Sequence, residues 1–142
     1  MCGRRAVRAV RVAGRTIRYR NLGALPIPAD CPIATCSRCG AQYLPDTLNQ
    51  YLNPVYQAEL RSRAALAIAQ LGGRISQRKL ELLLNLSQGY LSRLKSGGGN
   101  PSASLISLLY LLGNSPGLLE QLERYWLVPL GLSLEPSGRQ RG

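Results

Sequence analysis

The amino-acid sequence predicts a mainly α-helical protein, in which a small β-hairpin domain precedes a domain of five short helices. Three observations lead to this prediction. Near the N-terminus, apolar residues alternate with arginines, which is the pattern of strands with one buried face. From residue 57 onward, the apolar residues instead recur with the period of a helix. Serine caps and glycine stops then divide residues 57–126 into short helices.

The charge of the chain indicates an anionic partner. The 142 residues carry a formal net charge of +11, and residues 1–29 contain seven arginines and no acidic residue. Such an excess predicts a polyanionic partner, most often nucleic acid. The chain has no histidine, the commonest general base, and few acidic residues, so we do not expect an enzyme. Because we find neither a secretory signal nor an apolar run of membrane-spanning length, we expect a cytoplasmic protein without membrane contacts.

The first predicted element is a β-hairpin over residues 7–28, with a turn at Ala13-Gly14. Regular structure is expected to end at Asn21-Leu22-Gly23 and the prolines Pro26, Pro28 and Pro32. One face of this hairpin is expected to be apolar and the other to be lined with arginine. The apolar face comprises Val10, Val12, Ile17 and Tyr19, and the basic face comprises Arg11, Arg18 and Arg20. We expect the basic face to meet an acidic protein surface or nucleic acid.

The cysteines of this region indicate a metal site. Cys36-x-x-Cys39-Gly40 has the spacing of a zinc knuckle, and four cysteines are the number that closes a tetrahedral structural site. Cys2, Cys31, Cys36 and Cys39 are therefore candidate ligands of a structural zinc ion. Inert cysteines remain the alternative, because Cys2 stands alone and Cys31 does not have knuckle spacing. These features predict a first domain over residues 1–45 and a linker over 46–56.

Residues 57–126 contain the five predicted helices, and residues 127–142 form a tail. The first helix has one apolar stripe, made of Leu60, Ala64, Ile68 and Leu71, and ends at Gly72-Gly73. The later helices are expected to begin at Ser76, Ser87, Ser102 and Ser115, the last of these being followed by Pro116. Asn85 is expected to adopt a left-handed turn conformation, and the three glycines from Gly97 are expected to end the third helix. The apolar side of the fifth helix is expected to comprise Leu118, Leu119, Leu122 and Trp126.

The second and third helices are joined by a short turn, which is the arrangement of the helix-turn-helix DNA-binding motif. The exposed polar residues of this pair are the candidate DNA-binding set, namely Gln77, Arg78, Lys79, Gln88, Ser92, Arg93 and Lys95. Arg93 is the candidate base reader, because arginine can pair with both O6 and N7 of guanine. Arg78 and Lys79 occupy a helix start, where the dipole disfavours cations, so we expect a phosphate there. The alternative is that this small penalty is tolerated.

This helical region resembles the phage-repressor (Xre/Cro) helix-turn-helix family. The resemblance covers residues 57–126 and is carried by Ser76-Gln77-x-x-Leu80, Asn85-Leu86-Ser87 and Tyr90-Leu91-Ser92-Arg93-Leu94, followed by Gly97 and Pro101-Ser102. It implies a five-helix domain, a homodimer that binds an inverted-repeat operator in double-stranded DNA, and transcriptional repression.

The two regions together also resemble the MqsA-type antitoxins, over most of residues 2–125. The resemblance is carried by Cys2-Gly3, the segment 10–17, the knuckle 36–40, and the order of a zinc finger before an Xre-type domain. The ending from Asn100-Pro101-Ser102 to Leu119 also matches. The resemblance implies an antitoxin whose finger domain binds a ribonuclease toxin and whose C-terminal dimer represses the shared operon. Arg93 takes the place of the family's third-helix arginine, whereas Gly89 stands where the family has a base-reading asparagine.

Two other functions fit the same sequence features. One is a free-standing repressor from a phage or mobile element, with no toxin partner. The other is an interaction adapter, in which a zinc ribbon contacts protein or RNA and the helical domain serves only to dimerise. The adapter hypothesis predicts that Arg93 is unimportant, which distinguishes it from both repressor hypotheses.

Overall fold

A computed structural model of the chain describes residues 7–10 and 15–130. The protein is mostly helical, with small antiparallel β-structures preceding the helices, which confirms the predicted mainly α class. The chain divides into two compact units, Met1–Glu59 and Leu60–Gly142. No helix within the described ranges is both long and apolar enough to cross a membrane.

The strands of the first unit pair differently from the prediction. They are β1 (Val7–Val10), β2 (Thr16–Tyr19), β3 (Leu22–Pro26), β4 (Ile33–Cys36) and β5 (Gln42–Tyr43). β4 lies between β1 and β5 in one antiparallel sheet, while β2 and β3 form a separate two-stranded sheet. The predicted hairpin over 7–28 is therefore wrong, because β1 pairs with β4 and not with β2. Its expected turn at 13–14 lies outside the described residues.

A two-residue turn at Arg20-Asn21 explains the true pairing of β2. Arg20 adopts a positive φ of 52°, and the chain reverses so that Tyr19 stands opposite Leu22. The residues expected to end regular structure thus form a strand that closes at Pro26. Alternation identified a strand at β2, but alternation alone does not specify the partner strand.

The core of the first unit combines residues of the strands and their connections with the start of the first helix. Its buried apolar residues are Tyr19, Leu22, Leu25, Ile27, Cys31, Ile33, Cys36, Leu52 and Tyr56. The hydroxyl of Tyr19 donates a hydrogen bond to Asn49 Oδ1 at 2.9 Å, and the hydroxyl of Tyr56 donates one to Asn21 Oδ1. Since the helix that supplies Leu52 and Tyr56 begins at Leu48, most of the predicted linker 46–56 is helical.

Five helices follow within the described residues: α1 (Leu48–Leu71), α2 (Gln77–Leu83), α3 (Tyr90–Lys95), α4 (Ala103–Asn114) and α5 (Pro116–Leu127). The first begins nine residues earlier than the expected residue 57. Two predicted caps are confirmed by their hydrogen bonds. Ser76 Oγ accepts from the amide of Lys79 at 3.2 Å, and Ser102 Oγ accepts from the amide of Leu105 at 3.1 Å. The predicted start of α5, with Pro116 in its first turn, is also confirmed.

The core of the second unit is formed by all five helices. The predicted stripe of α1 is confirmed, because Leu60, Ala64, Ile68 and Leu71 are all buried. The later helices contribute Leu80, Leu91, Leu94, Leu109, Leu112 and Leu119 to the same core. Trp126 was expected on the packed side of α5 but is 66% exposed. The apolar stripe of α5 packs on the core through Leu118, Leu119 and Leu122, and Trp126 lies one turn beyond these contacts.

Candidate nucleic-acid interface

The turn between α2 and α3 begins with a left-handed residue. Asn85 has a φ of 54°, as predicted, and its amide donates to the carbonyl of Leu82 at 3.2 Å. The next amide, that of Leu86, donates to the carbonyl of Glu81 at 2.7 Å. These two bonds form the pattern that closes many helices at a glycine or asparagine. The end of α2 is therefore fixed by its own backbone.

The start of α3 differs from the prediction. Its N-cap is Gly89 and not Ser87, whose carbonyl merely accepts a turn hydrogen bond from the amide of Tyr90. Gly89 has a φ of 83°, a conformation that residues with a Cβ rarely adopt. Its amide donates to both carboxylate oxygens of Glu81, at 3.2 Å and 2.9 Å. Glu81, a residue of α2, thus provides at the start of α3 the acceptor that we expected from Ser87.

The predicted glycine stop at the end of α3 is confirmed. Gly97 has a φ of 88°, and its amide donates to the carbonyl of Leu94 at 3.0 Å. The amide of Gly98 donates to the carbonyl of Arg93 at 2.9 Å, which completes a Schellman motif. Both ends of this six-residue helix are therefore held by specific hydrogen bonds.

The candidate DNA-binding residues all lie at the surface of this pair of helices. Gln77 is half-buried, and the other six are exposed: Arg78, Lys79, Gln88, Ser92, Arg93 and Lys95. On the opposite side of α3, Leu91 and Leu94 are completely buried. The structure thus separates an apolar side of α3, which anchors it, from a polar and basic side that faces solvent.

The environment of Arg78 differs from the one expected for a bare cation at a helix start. Its Nη1 atom lies 3.7 Å from Oε2 of Glu81, one turn along the same helix. The same Oε2 atom accepts the hydrogen bond from Gly89, so the guanidinium group of Arg78 lies close to the start of α3. A carboxylate therefore offsets part of the charge that was expected to need a phosphate.

The candidate base reader Arg93 is partly oriented by its own helix. Its guanidinium carbon lies 5.9 Å from the ring centroid of Tyr90, three residues earlier. Tyr90 is half-buried and packs against the core of the second unit. Cation–π contact of this kind restricts the arginine without removing its exposed hydrogen-bond donors. Tyr90 thus has a packing role in this helix pair.

Three of the candidate zinc ligands, Cys31, Cys36 and Cys39, lie in and around β4. Cys31 and Cys36 are buried, whereas Cys39 is exposed. The amide of Gly40 donates to the carbonyl of Cys36 at 2.9 Å, which closes a tight turn across the knuckle motif. Burial raises the pKa of the Cys31 thiol, and the neighbouring carboxylate of Asp30 raises it further. Zinc binds the thiolate form, so Cys31 would have to lose this proton on binding a metal ion.

The described cysteines do not form a metal site by themselves. Within residues 7–10 and 15–130, no three side chains of cysteine, histidine or acidic type are grouped closely enough to hold a metal ion. Cys2, the fourth predicted ligand, lies outside these residues. The predicted four-cysteine zinc site therefore stays a prediction.

Glu81 is the residue of this site that the sequence reasoning missed. Its side chain is 2% exposed, and among the described residues it is the only charged one that is buried. One signal in the sequence could have found it, because Glu81 is the only acidic residue between positions 76 and 99. A lone acid in a basic helix pair is a candidate for a structural contact within the motif.

Comparison with known proteins gives no match for this chain, whether among protein families, curated proteins or solved structures.

Proposed function

We propose that the second unit is a sequence-specific DNA-binding domain and that the protein is a transcriptional repressor. The observation that carries this proposal is the arrangement of α2 and α3. Two short helices are capped and joined by a turn that hydrogen bonds hold at both ends, and the exposed side of α3 carries Arg93 and Lys95. A rigid, basic and solvent-facing short helix is what major-groove recognition requires.

We assign different roles to the exposed residues of the pair. Arg93 reads guanine, because its donors are exposed and its side chain is oriented by Tyr90. Gln88 lies in the turn immediately before α3, where recognition helices reach base edges. Lys79 and Lys95 are exposed point charges without the planar donor pair of arginine, so we assign them to phosphate.

We further propose that the repressor is a homodimer and that its copies meet at the end of α5. Large apolar residues are exposed there without a partner from the described core: Tyr125, Trp126, Leu127, Val128 and Leu130. The charges between residues 100 and 130 are those of Glu120, Glu123 and Arg124, so this part of a +11 chain does not repel its own copy. Arg124 of one copy can meet a glutamate of the other if the two helices pack antiparallel, as a two-fold axis permits.

The dimer proposal is tested by sedimentation at several protein concentrations. We expect the wild-type chain to sediment as a dimer and Trp126→Glu to sediment as a monomer, because a charge would enter the apolar contact. Leu66→Glu serves as the matched control, since Leu66 is equally exposed, at 68%, but lies on α1. A wild-type chain that stays monomeric at all concentrations would contradict the proposal.

The DNA-binding proposal is tested by selection from a pool of random DNA duplexes. We expect the wild-type chain to enrich an inverted repeat, because a two-fold dimer presents its two α3 helices to successive major grooves about 34 Å apart. The two half-sites should lie about one helical turn apart, or a multiple of that distance. Enrichment of no sequence over the starting pool would contradict sequence-specific binding.

Within this function, we propose that the protein is the antitoxin of a type II pair that neutralises a ribonuclease toxin. This step is supported by the motifs that resemble MqsA-type antitoxins. It is tested by co-expressing the chain with the product of the neighbouring reading frame. If that product inhibits growth and the chain restores it, the result supports an antitoxin. DNA binding without such a restoration of growth favours the free-standing repressor.

A further inference from the structure

We infer that Glu81 is a positioning residue that sets how strongly the helix-turn-helix discriminates between DNA sequences. Its carboxylate accepts the amide of Gly89, the N-cap of α3, and at the same time lies beside the guanidinium of Arg78. The inference rests on the proposed DNA-binding function. It adds a residue that does not face DNA to the residues that determine specificity.

The first half of the inference concerns the orientation of α3. Gly89 has no side chain to cap its own helix, and its amide is instead held by both oxygens of Glu81. The backbone carbonyl of Glu81 also accepts the amide of Leu86, so this one residue ends α2 and begins α3. Because a hydrogen bond to a buried carboxylate is stronger than one between neutral groups, Glu81 fixes the angle at which α3 leaves the turn.

The second half concerns Arg78. Its guanidinium is exposed on one side and lies 3.7 Å from Glu81 Oε2 on the other. A DNA phosphate approaching α2 must compete with this carboxylate for the arginine. Since phosphate contacts add affinity for every sequence alike, a restrained Arg78 limits non-specific binding. Glu81 thus favours discrimination in two ways, by orienting the reading helix and by restraining a non-specific contact.

The variant Glu81→Gln tests both halves. It preserves the size of the side chain and one acceptor oxygen for Gly89, but it removes the charge that holds Arg78. The matched control is Asp46→Asn, which removes the same charge from an exposed position just before α1. Each protein is titrated with the duplex that the wild-type chain selects and with a scrambled duplex of equal length, at several salt concentrations.

We expect Glu81→Gln to lower the ratio of affinities for the selected and scrambled duplexes by about tenfold, the scale of a lost charged hydrogen bond. Binding to the scrambled duplex should be unchanged or stronger, and its salt slope should steepen by about one phosphate contact as Arg78 becomes available. Adding Arg78→Gln should remove this steepening. The control Asp46→Asn should leave the ratio unchanged.

The possible failures can be distinguished. If the wild-type chain does not discriminate, the proposed function itself is wrong. If the wild-type chain discriminates and Glu81→Gln keeps the same ratio, this inference is wrong. It is also wrong if Glu81→Gln weakens both duplexes equally, since that is the result of a merely structural role. If Glu81→Gln does not fold, the variants Arg78→Gln and Lys79→Gln decide. Because Glu81 restrains Arg78, Arg78→Gln should weaken binding to the scrambled duplex clearly less than Lys79→Gln does, and an equal loss would overturn the inference.

Discussion

The guanidinium of Arg20 lies over the ring of Tyr56, with its carbon 5.1 Å from the ring centroid. The same carbon is 5.4 Å from the ring of Tyr19, and the two rings meet edge to face at 5.6 Å. Arg20 stands in the turn between β2 and β3, and Tyr56 belongs to α1. This arginine, which the sequence assigned to a partner-binding face, therefore stabilises the first unit itself.

This contact predicts different effects for Arg18 and Arg20, the two arginines of β2 and the turn that follows it. Arg20→Gln should lower the stability of the first unit by about 0.5–1 kcal/mol, the usual size of an exposed cation–π contact. Arg18→Gln removes the same charge from an exposed position on β2 and should leave the melting temperature unchanged. Thermal denaturation followed by circular dichroism measures both. Equal melting temperatures for the two variants would contradict the role given to Arg20.

The helix caps give a second prediction, in which three serines are compared. Ser76→Ala and Ser102→Ala should each destabilise the second unit by about 0.5–2 kcal/mol, because each hydroxyl accepts a backbone amide at a helix start. Ser87→Ala should change the stability by no more than about 0.5 kcal/mol, the usual effect of a surface substitution, since Gly89 and Glu81 form the cap that Ser87 was expected to provide. Urea denaturation measures all three. A loss for Ser87→Ala as large as the others would contradict the observed cap.

The zinc prediction concerns the first unit and is tested on the intact chain. If Cys2, Cys31, Cys36 and Cys39 close a site, native mass spectrometry should show one zinc ion per chain. Cys39→Ser should abolish zinc binding, because a structural site needs all four ligands. The matched control is Ser37→Ala, which changes a neighbouring residue of the same knuckle without removing a thiol. A metal-free wild-type chain with an intact first unit would contradict the prediction.

The helical half of the fold was accessible from the sequence because its signals are local. Caps such as Ser76 and Ser102, the left-handed Asn85 and the glycine stop at Gly97 each act within a few residues. The apolar stripe of α1 was equally local, although its helix begins earlier than expected. Periodicity and capping therefore sufficed to locate most of the helices.

The strand pairing and the contact of Glu81 were not accessible in the same way. β1 pairs with β4 across more than twenty residues of chain, and no alternation pattern specifies such a partner. Glu81 and Gly89 are eight residues apart, and only the conformation of the turn between α2 and α3 brings the carboxylate to that amide. Helical periodicity and capping patterns do not predict such a contact. The exposed DNA-binding candidates could be identified from helix faces, but the restraint on Arg78 could not.

The most direct test of the account compares Arg93→Ala with Lys79→Ala on the duplex that the wild-type chain selects and on a scrambled duplex. Quantitative gel shifts are recorded at several salt concentrations. We predict that Arg93→Ala loses about 1–3 kcal/mol of discrimination, because it removes a contact to guanine. Lys79→Ala should weaken both duplexes alike and reduce the salt slope by about one. The same uniform loss for both variants would contradict base reading by Arg93, and no loss for either would contradict DNA binding by this helix pair.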